Sequence, residues 1–203
     1  SSVCAVFGQQ ATFEIVSRKN VMVPMRDGVK LATDIHLPAR NGVAVEDRFP
    51  VILSRTPYGK GSAASAYVPF GYAVVSQDTR GRGGSEGIWH WMSDARQDGY
   101  DTIAWIAEQP WSNGEIGMVG CSYVGATQHL AAMGRPPHLT TIIPRDPSIN
   151  HGIGAVLYGG AFRLRVWDWI FDSAASGSRQ ARDPAVKAVL EKHSQDRRHY
   201  LLN

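Results

Sequence analysis

Ser122 stands in the stretch Gly120-Cys121-Ser122-Tyr123-Val124-Gly125. An apolar run, Ile116 to Gly120, precedes it, and Tyr123 to Met133 follows with helical spacing. A serine on a sharp strand-to-helix turn has its oxygen thrown out above the sheet. The helix N-terminus then aims free N–H groups and the positive end of its dipole at the reacting centre. The chemistry of such a site is acyl transfer, in which the hydroxyl attacks a carbonyl and a covalent acyl-serine forms. Strand and helix can approach only if the serine's neighbours are small. Gly120 meets that demand two residues before Ser122. The general pattern has a second glycine two residues after the serine, where this chain has Val124; Gly125 and Ala126 supply small residues one step later. The alternative reading is a serine in an ordinary tight turn.

Tyr58 is the second candidate. The run Phe49-Pro50-Val51-Ile52-Leu53-Ser54 leads into Arg55-Thr56-Pro57-Tyr58. If the sheet is parallel, this loop and Ser122 share its carboxyl edge, where ligands bind in open α/β sheets. A phenol there can donate a hydrogen bond to an oxyanion, joined by the backbone N–H of Tyr123. The alternative is a tyrosine packed on Pro57.

The elements that must position these groups follow from the apolar pattern. Phe49 to Ser54, Tyr72 to Asp78, Ile116 to Gly120 and Leu139 to Pro144 are short apolar runs, which predicts strands buried on both faces. Helical stretches alternate with them, 93–109 and 123–133, so the expected fold class is α/β, with βαβ units and a mostly parallel sheet covered on both faces. Residues 13–25 and 30–37, separated by Arg26-Asp27-Gly28, predict an antiparallel hairpin at one edge, and 38–47 a loop. Residues 150–160 read as a Gly-rich loop. An aromatic helix over 162–175 and a polar helix over 184–193 close the chain.

Composition bounds the rest. The 203 residues are 43% hydrophobic and 19% charged, which excludes a disordered chain and a charge-driven coiled coil. No run of 18 apolar residues exists, so no membrane span is expected. The net charge of +3 comes from residues 177–203, which hold six Lys and Arg against three Asp and Glu. That is a solvated helix face rather than a basic stripe interleaved with aromatics, so no nucleic-acid partner is expected. Cys4 and Cys121 make no disulfide framework, and Cys121 is expected to point into the core. Gly59-Lys60-Gly61-Ser62 lacks the glycine spacing of a phosphate loop, and no dinucleotide or metal-ligand pattern appears, so no cofactor is expected. Asp78 is read with Arg80 as a structural ion pair or loop anchor. The small apolar residues 1–8 followed by Gln9-Gln10-Ala11 read as the remnant of a secretory signal, implying a secreted or periplasmic protein, or as an ordinary disordered N-terminus of a cytoplasmic one.

Three stretches together resemble one family. They are Val21 to Leu31 (VMVPMRDGVKL); Arg55-Thr56-Pro57-Tyr58 with Gly71 to Gly81 and Ser85-Glu86-Gly87; and Gly114 to Gly125 (GEIGMVGCSYVG). The combination is similar to the cocaine-esterase-like, X-Pro dipeptidyl-peptidase (S15-type) serine hydrolases, a group that includes α-amino-acid ester hydrolases and glutaryl acylases. Its form of the elbow is G-x-S-Y-x-G, which matches Val124 and Gly125. The resemblance implies an α/β-hydrolase fold and a small-molecule ester or acyl substrate. It makes Ser122 the acylating nucleophile, Tyr58 and the Tyr123 N–H the oxyanion donors, and Trp167 and Trp169 acyl-pocket residues of a helical cap. The expected organisation is a disordered N-terminus or signal remnant over 1–12 and, by the resemblance, the N-terminal part of an α/β-hydrolase domain over 13–148 and the start of the cap over 149–203. A triad also needs a carboxylate and then a histidine downstream of the serine. Asp146, His151, His193 and His199 follow Ser122, and His129 lies in the helix behind it. The expectation is that the acid and base lie beyond Asn203 and that this chain is an N-terminal portion of a family member. The rivals within the class are an α-amino-acid ester hydrolase or β-lactam acylase and an X-Pro dipeptidyl-peptidase, and the rival from another class is an inactive fragment or non-catalytic binding module.

Overall fold

The computed structural model describes residues 11–61, 63–92, 95–147, 157–159, 161–169, 172 and 177–195. The expected hairpin is present: β1 (Glu14–Pro24) pairs antiparallel with β2 (Lys30–Arg40), and Gly28 takes the left-handed φ of +85° that the turn requires. β1 carries a bulge between Arg18 and Val21, where Asn20 has φ 55°. The segment expected as a loop contains a further strand, β3 (Val43–Ala44), folded back on β2. The cause is Asn41-Gly42, both at positive φ, a dipeptide suited to a two-residue hairpin turn.

β4 (Phe49–Thr56), β5 (Ala73–Asp78), β6 (Ser112–Cys121) and β7 (Leu139–Arg145) are the four expected parallel strands. The sheet order is β1-β2-β5-β4-β6-β7, with β2 antiparallel to β5. α1 (Ala64–Tyr67) and a 3-10 turn (Val68–Phe70) join β4 to β5. α2 (Ala95–Ala107) joins β5 to β6, and α3 (Tyr123–Met133) joins β6 to β7. The chain winds from β4 out to β5 and then back past β4 to β6. The order therefore reverses at β4, and the carboxyl ends of β4 and β6 flank the switch point where α/β sheets bind ligands.

The core lies between the sheet and α2: Ile103 and Ile106 pack on Val51, Leu53, Ile116 and Met118, all sealed from solvent. The opposite face is thinner, with Ala64, Val68 and Val74 forming a small cluster. Burial on both faces, expected of all four strands, holds only for β5. In β4 the residues alternate, Val51 and Leu53 buried, Ile52 and Ser54 half-exposed. β6 and β7 are likewise open on one side. Among the described residues, only one helical turn and the 3-10 turn cover that face, which leaves a cavity of about 510 Å³ over Ile52, Val74, Val119 and Ile143.

Beyond β7 come a two-residue hairpin, β8 (Leu157–Tyr158) and β9 (Ala161–Phe162), then α4 (Leu164–Trp169), a 3-10 turn (Arg179–Arg182) and α5 (Pro184–Gln195). α5 and α2 match their expected spans to within two residues. Ser93 and Asp94, and most of the aromatic helix beyond Trp169, lie outside the described residues.

Candidate active site

Ser122 is the residue between β6 and α3, with φ 56° and ψ −122°. A side chain rarely occupies this conformation, and holding one there costs on the order of 1–3 kcal/mol. The Ser122 N–H donates to the Arg145 carbonyl at the end of β7 (2.9 Å), and its own carbonyl accepts from Ala126 N–H in the first turn of α3 (2.9 Å). Gly120 has φ +151°, and a Cβ there would lie 2.2 Å from Val124 Cγ1. Val124 thus fills the hollow that Gly120 leaves, which explains a valine where the general elbow has its second glycine. Gly125 takes over the tight approach: a Cβ there would lie 3.1 Å from the Arg145 carbonyl and 3.2 Å from Pro147 Cβ.

Two buried polar residues of α3 sew the elbow to the sheet. Gln128 donates to the Gly120 and Val124 carbonyls (3.3 and 3.1 Å) and accepts from Ile143 N–H of β7 (3.0 Å). The Thr127 hydroxyl lies between the Val124 carbonyl (3.0 Å) and the Arg55 carbonyl of β4 (3.2 Å).

Tyr58 follows β4, and β4 lies parallel beside β6, with Leu53 opposite Met118. The loop carrying Tyr58 and the elbow carrying Ser122 therefore leave the sheet at the same edge. The Tyr58 N–H donates to Thr56 Oγ1 (3.1 Å). Its ring meets the Tyr123 ring edge-on at 6.2 Å and the Trp169 ring at 6.3 Å. Trp169 also reaches Tyr123, at 6.3 Å. Tyr58 remains 53% exposed, while Tyr123 is buried. Partial burial raises the Tyr58 phenol above its ordinary pKa, Tyr123 acts the same way and Arg82 opposes. The phenol therefore keeps its proton, and so its capacity to donate, throughout the neutral range. Three aromatic groups thus meet at the mouth of the elbow. Trp167 precedes Trp169 on α4, and its side chain lies outside the described residues.

Charged residues beneath this surface are more ordered than their spacing in the chain announces. Arg55 is wholly buried; its Nε donates to Gln77 Oε1 (2.8 Å), its Nη1 to the Ala95 carbonyl (3.0 Å), and its Nη2 lies 3.8 Å from Asp98. Burial lowers its pKa and Asp98 opposes that effect. Asp98 in turn pairs with Arg80 (2.6 Å), which pairs with Asp27 (2.7 Å). The pairing expected between Asp78 and Arg80 is thus replaced in the main. Arg80 turns to Asp98 and Asp27, and Asp78 takes Lys60 (3.1 Å) and the Gly84 N–H (3.0 Å). Asp78 anchors the Gly-rich loop through the Gly84 N–H.

Cys121 is exposed, contrary to the expectation that it points into the core. Strand parity is the reason: Ile116 and Met118 face the helices, and Cys121 belongs with Gly117 and Val119 on the other, open side. Asp146 follows β7 at the same sheet edge as Ser122, exposed and at φ 44°. His129 is half-buried on α3. His151 and His199 lie outside the described residues, as does the side chain of His193. No group of three or more His, Cys, Asp or Glu that would hold a metal occurs among the described residues. No helix among them is long and apolar enough to cross a membrane.

Comparison with known proteins fits this geometry. The profile of the X-Pro dipeptidyl-peptidase (S15) family matches residues 27–202. The chain belongs to this family. Over 140 residues it is 44% identical to the cocaine esterase of Rhodococcus sp. (strain MB1 Bresler), an alignment covering 64% of this chain and 24% of that protein. A putative serine esterase of Mycobacterium bovis is 35% identical over 147 residues, 60% of this chain and 23% of that protein. The chain thus spans about a quarter of the length of these curated relatives. Among solved structures, a CocE/NonD family hydrolase from Staphylococcus aureus superimposes with a TM-score of 0.70 and 31% identity, covering 79% of this chain and 33% of that one. An α-amino acid ester hydrolase gives 0.66 and 33%, covering 82% and 31%. The fold is that of the α/β hydrolases, and the family's named members are esterases and peptidases.

Proposed function

We propose that the protein containing this chain is a serine hydrolase that cleaves carboxylic esters of small molecules through an acyl-enzyme on Ser122. The observation that carries the reading is the strained serine at the head of α3, beside a sheet-edge tyrosine whose ring meets that of the next residue, Tyr123. The Ser122 hydroxyl attacks the ester carbonyl, and the carbonyl oxygen becomes an oxyanion. The Tyr58 hydroxyl and the Tyr123 N–H donate to that oxygen in a site where each donor is worth several kcal/mol of barrier. Collapse of the adduct expels the alcohol and leaves the acyl-serine, and water then releases the acid. A general base takes the serine proton, and a carboxylate orients that base. Trp169, and Trp167 on the same helix, are read as walls of the acyl pocket, with residues 149–203 beginning a helical cap. The 44% identity to a cocaine esterase favours esters over peptides.

The test is hydrolysis of p-nitrophenyl esters by the full gene product, with covalent labelling by a fluorophosphonate. Ser122→Ala abolishes labelling and lowers turnover by roughly 10⁶-fold, as loss of a nucleophile does. Retention of the esterase rate by Ser122→Ala overturns the reading. Faster release of p-nitroaniline from an aminoacyl-proline p-nitroanilide than of p-nitrophenol from the esters reassigns the substrate to peptides.

A further inference from the structure

An oxyanion donor must be held to within about 0.5 Å of its productive position. Tyr58 lies on a loop without regular structure and is more than half exposed, so its own packing is a weak constraint. The backbone on either side of it is held by a cation instead. On the N-terminal side, Arg82 Nε donates to the Pro57 carbonyl at 2.7 Å in a buried setting. Pro57 has no N–H, so this carbonyl is its only backbone hydrogen-bonding group. On the C-terminal side, Lys60 Nζ donates to Asn20 Oδ1 (3.0 Å) and Asp78 Oδ2 (3.1 Å), with Asp34 Oδ1 at 3.8 Å. The Lys60 side chain is 10% exposed and that of Asp78 3%, so the bond between them acts with little screening.

Three strands assemble the lysine's cradle. Asp78 ends β5, Asp34 lies in β2, and Asn20 occupies the bulge of β1. The bulge puts Asn20 at φ 55°, its N–H donating to Asp34 Oδ1 (2.8 Å) and its amide oxygen taking the ammonium. The same Asp78 oxygen accepts from Gly84 N–H, and a Cβ on Gly83 would lie 2.1 Å from it. The Gly-rich loop is therefore glycine at this point because it runs against the carboxylate, and it carries Arg82 to the other side of Tyr58.

We propose that Lys60 and Arg82 are positioning residues that clamp the backbone on both sides of Tyr58 and so hold its phenol where an oxyanion forms. The proposal rests on the oxyanion role assigned to Tyr58 above. It is tested with p-nitrophenyl acetate and the full gene product, comparing Lys60→Met, Tyr58→Phe and the double variant. Misplacing a reacting group by an ångström costs up to about 10²-fold. Lys60→Met therefore lowers kcat by roughly tenfold or more with KM within about twofold, and Lys60→Arg recovers most of the loss. In the Tyr58→Phe background the same Lys60→Met change costs less than about twofold, because the group it positions is gone. Arg82→Gln repeats the pattern. An equal loss from Lys60→Met in both backgrounds, or a rise in KM at constant kcat, overturns the clamp. A Tyr58→Phe variant as fast as the parent overturns the oxyanion reading instead. If Lys60→Met does not fold, Asn20→Ala removes one acceptor and leaves the ion pair. It gives the same non-additivity at smaller amplitude, and additive losses from it count against the clamp.

Discussion

Two loops meet at the carboxyl edge of this sheet, and they are built by different physics. The elbow after β6 is held by shape: a strained Ser122, a hollow at Gly120 filled by Val124, and a close approach at Gly125. The serine, the hollow and the valine that fills it lie within five residues of one another, and the approach at Gly125 is to Arg145 and Pro147 at the end of β7. The loop after β4 is held by charge: Arg82 on the Pro57 carbonyl and Lys60 among Asn20, Asp34 and Asp78. Its partners lie 18 to 40 residues away along the chain. A nucleophile must sit at one point on a rigid turn, and packing supplies that rigidity. A hydrogen-bond donor on a long side chain needs its backbone fixed at two places, and two cations do so without filling the space above the serine.

If the elbow depends on shape, adding one methyl group to it has the largest effect on stability. Gly120→Ala puts a Cβ against Val124 at a φ that side chains avoid, and the two costs together are about 3 kcal/mol. The change appears as a lowered midpoint of urea unfolding. Gly120→Ala with Val124→Gly recovers part of the loss, because the collision is with the Val124 side chain. No recovery in the double variant means that the backbone conformation of Gly120, and not the valine, sets the elbow's shape.

Removing strain has a smaller effect of the opposite sign. Ser122→Gly places a glycine where φ is 56°, releasing part of the 1–3 kcal/mol held there against a modest entropy cost in the unfolded chain. The net expectation is about 1 kcal/mol of added stability together with loss of esterase activity. Ser122→Ala keeps its Cβ and gains nothing. Thermal unfolding of the two variants side by side separates them, and equal midpoints remove strain from the account of the elbow.

The same contrast decides what could be read from the residues. The four parallel strands, the leading hairpin and the bounds of α3 follow from apolar runs and local breakers, and the structure agrees with them. Ser122 on its turn is legible because Gly120 and Gly125 are near neighbours. The N–H of Tyr123 follows from the same turn, while its ring contacts with Tyr58 and Trp169 do not. The Asn41-Gly42 hairpin is equally local, since its whole signal is that dipeptide. The exposure of Cys121 needed the strand's parity, set by which face α2 and α3 cover. The partners of Arg80, the burial of Arg55 and the use of Lys60 were not legible. Each depends on strand order, and the use of Lys60 also on a bulge in β1, and no short window of sequence contains them. The local window around Lys60 shows only glycine spacing that does not make a phosphate loop, while its ammonium belongs to a carboxylate that closes β5.

The Thr127 side chain bonds to both structures, and its removal is the smallest of these effects. Its hydroxyl has a single proton, shared between the Val124 carbonyl at the elbow and the Arg55 carbonyl three residues before Tyr58. A shared hydrogen bond is weaker to each acceptor than an undivided one. Thr127→Val keeps the shape and removes the proton, so the stability lost is about 0.5–1.5 kcal/mol, the ordinary net worth of one hydrogen bond. If the two loops are held independently, by packing on one side and by charge on the other, this loss comes with an unchanged kcat for p-nitrophenyl ester hydrolysis. A fall in kcat that disappears in the Tyr58→Phe background means the loops are coupled through Thr127, and that α3 helps to set the position of the phenol as well as that of the serine.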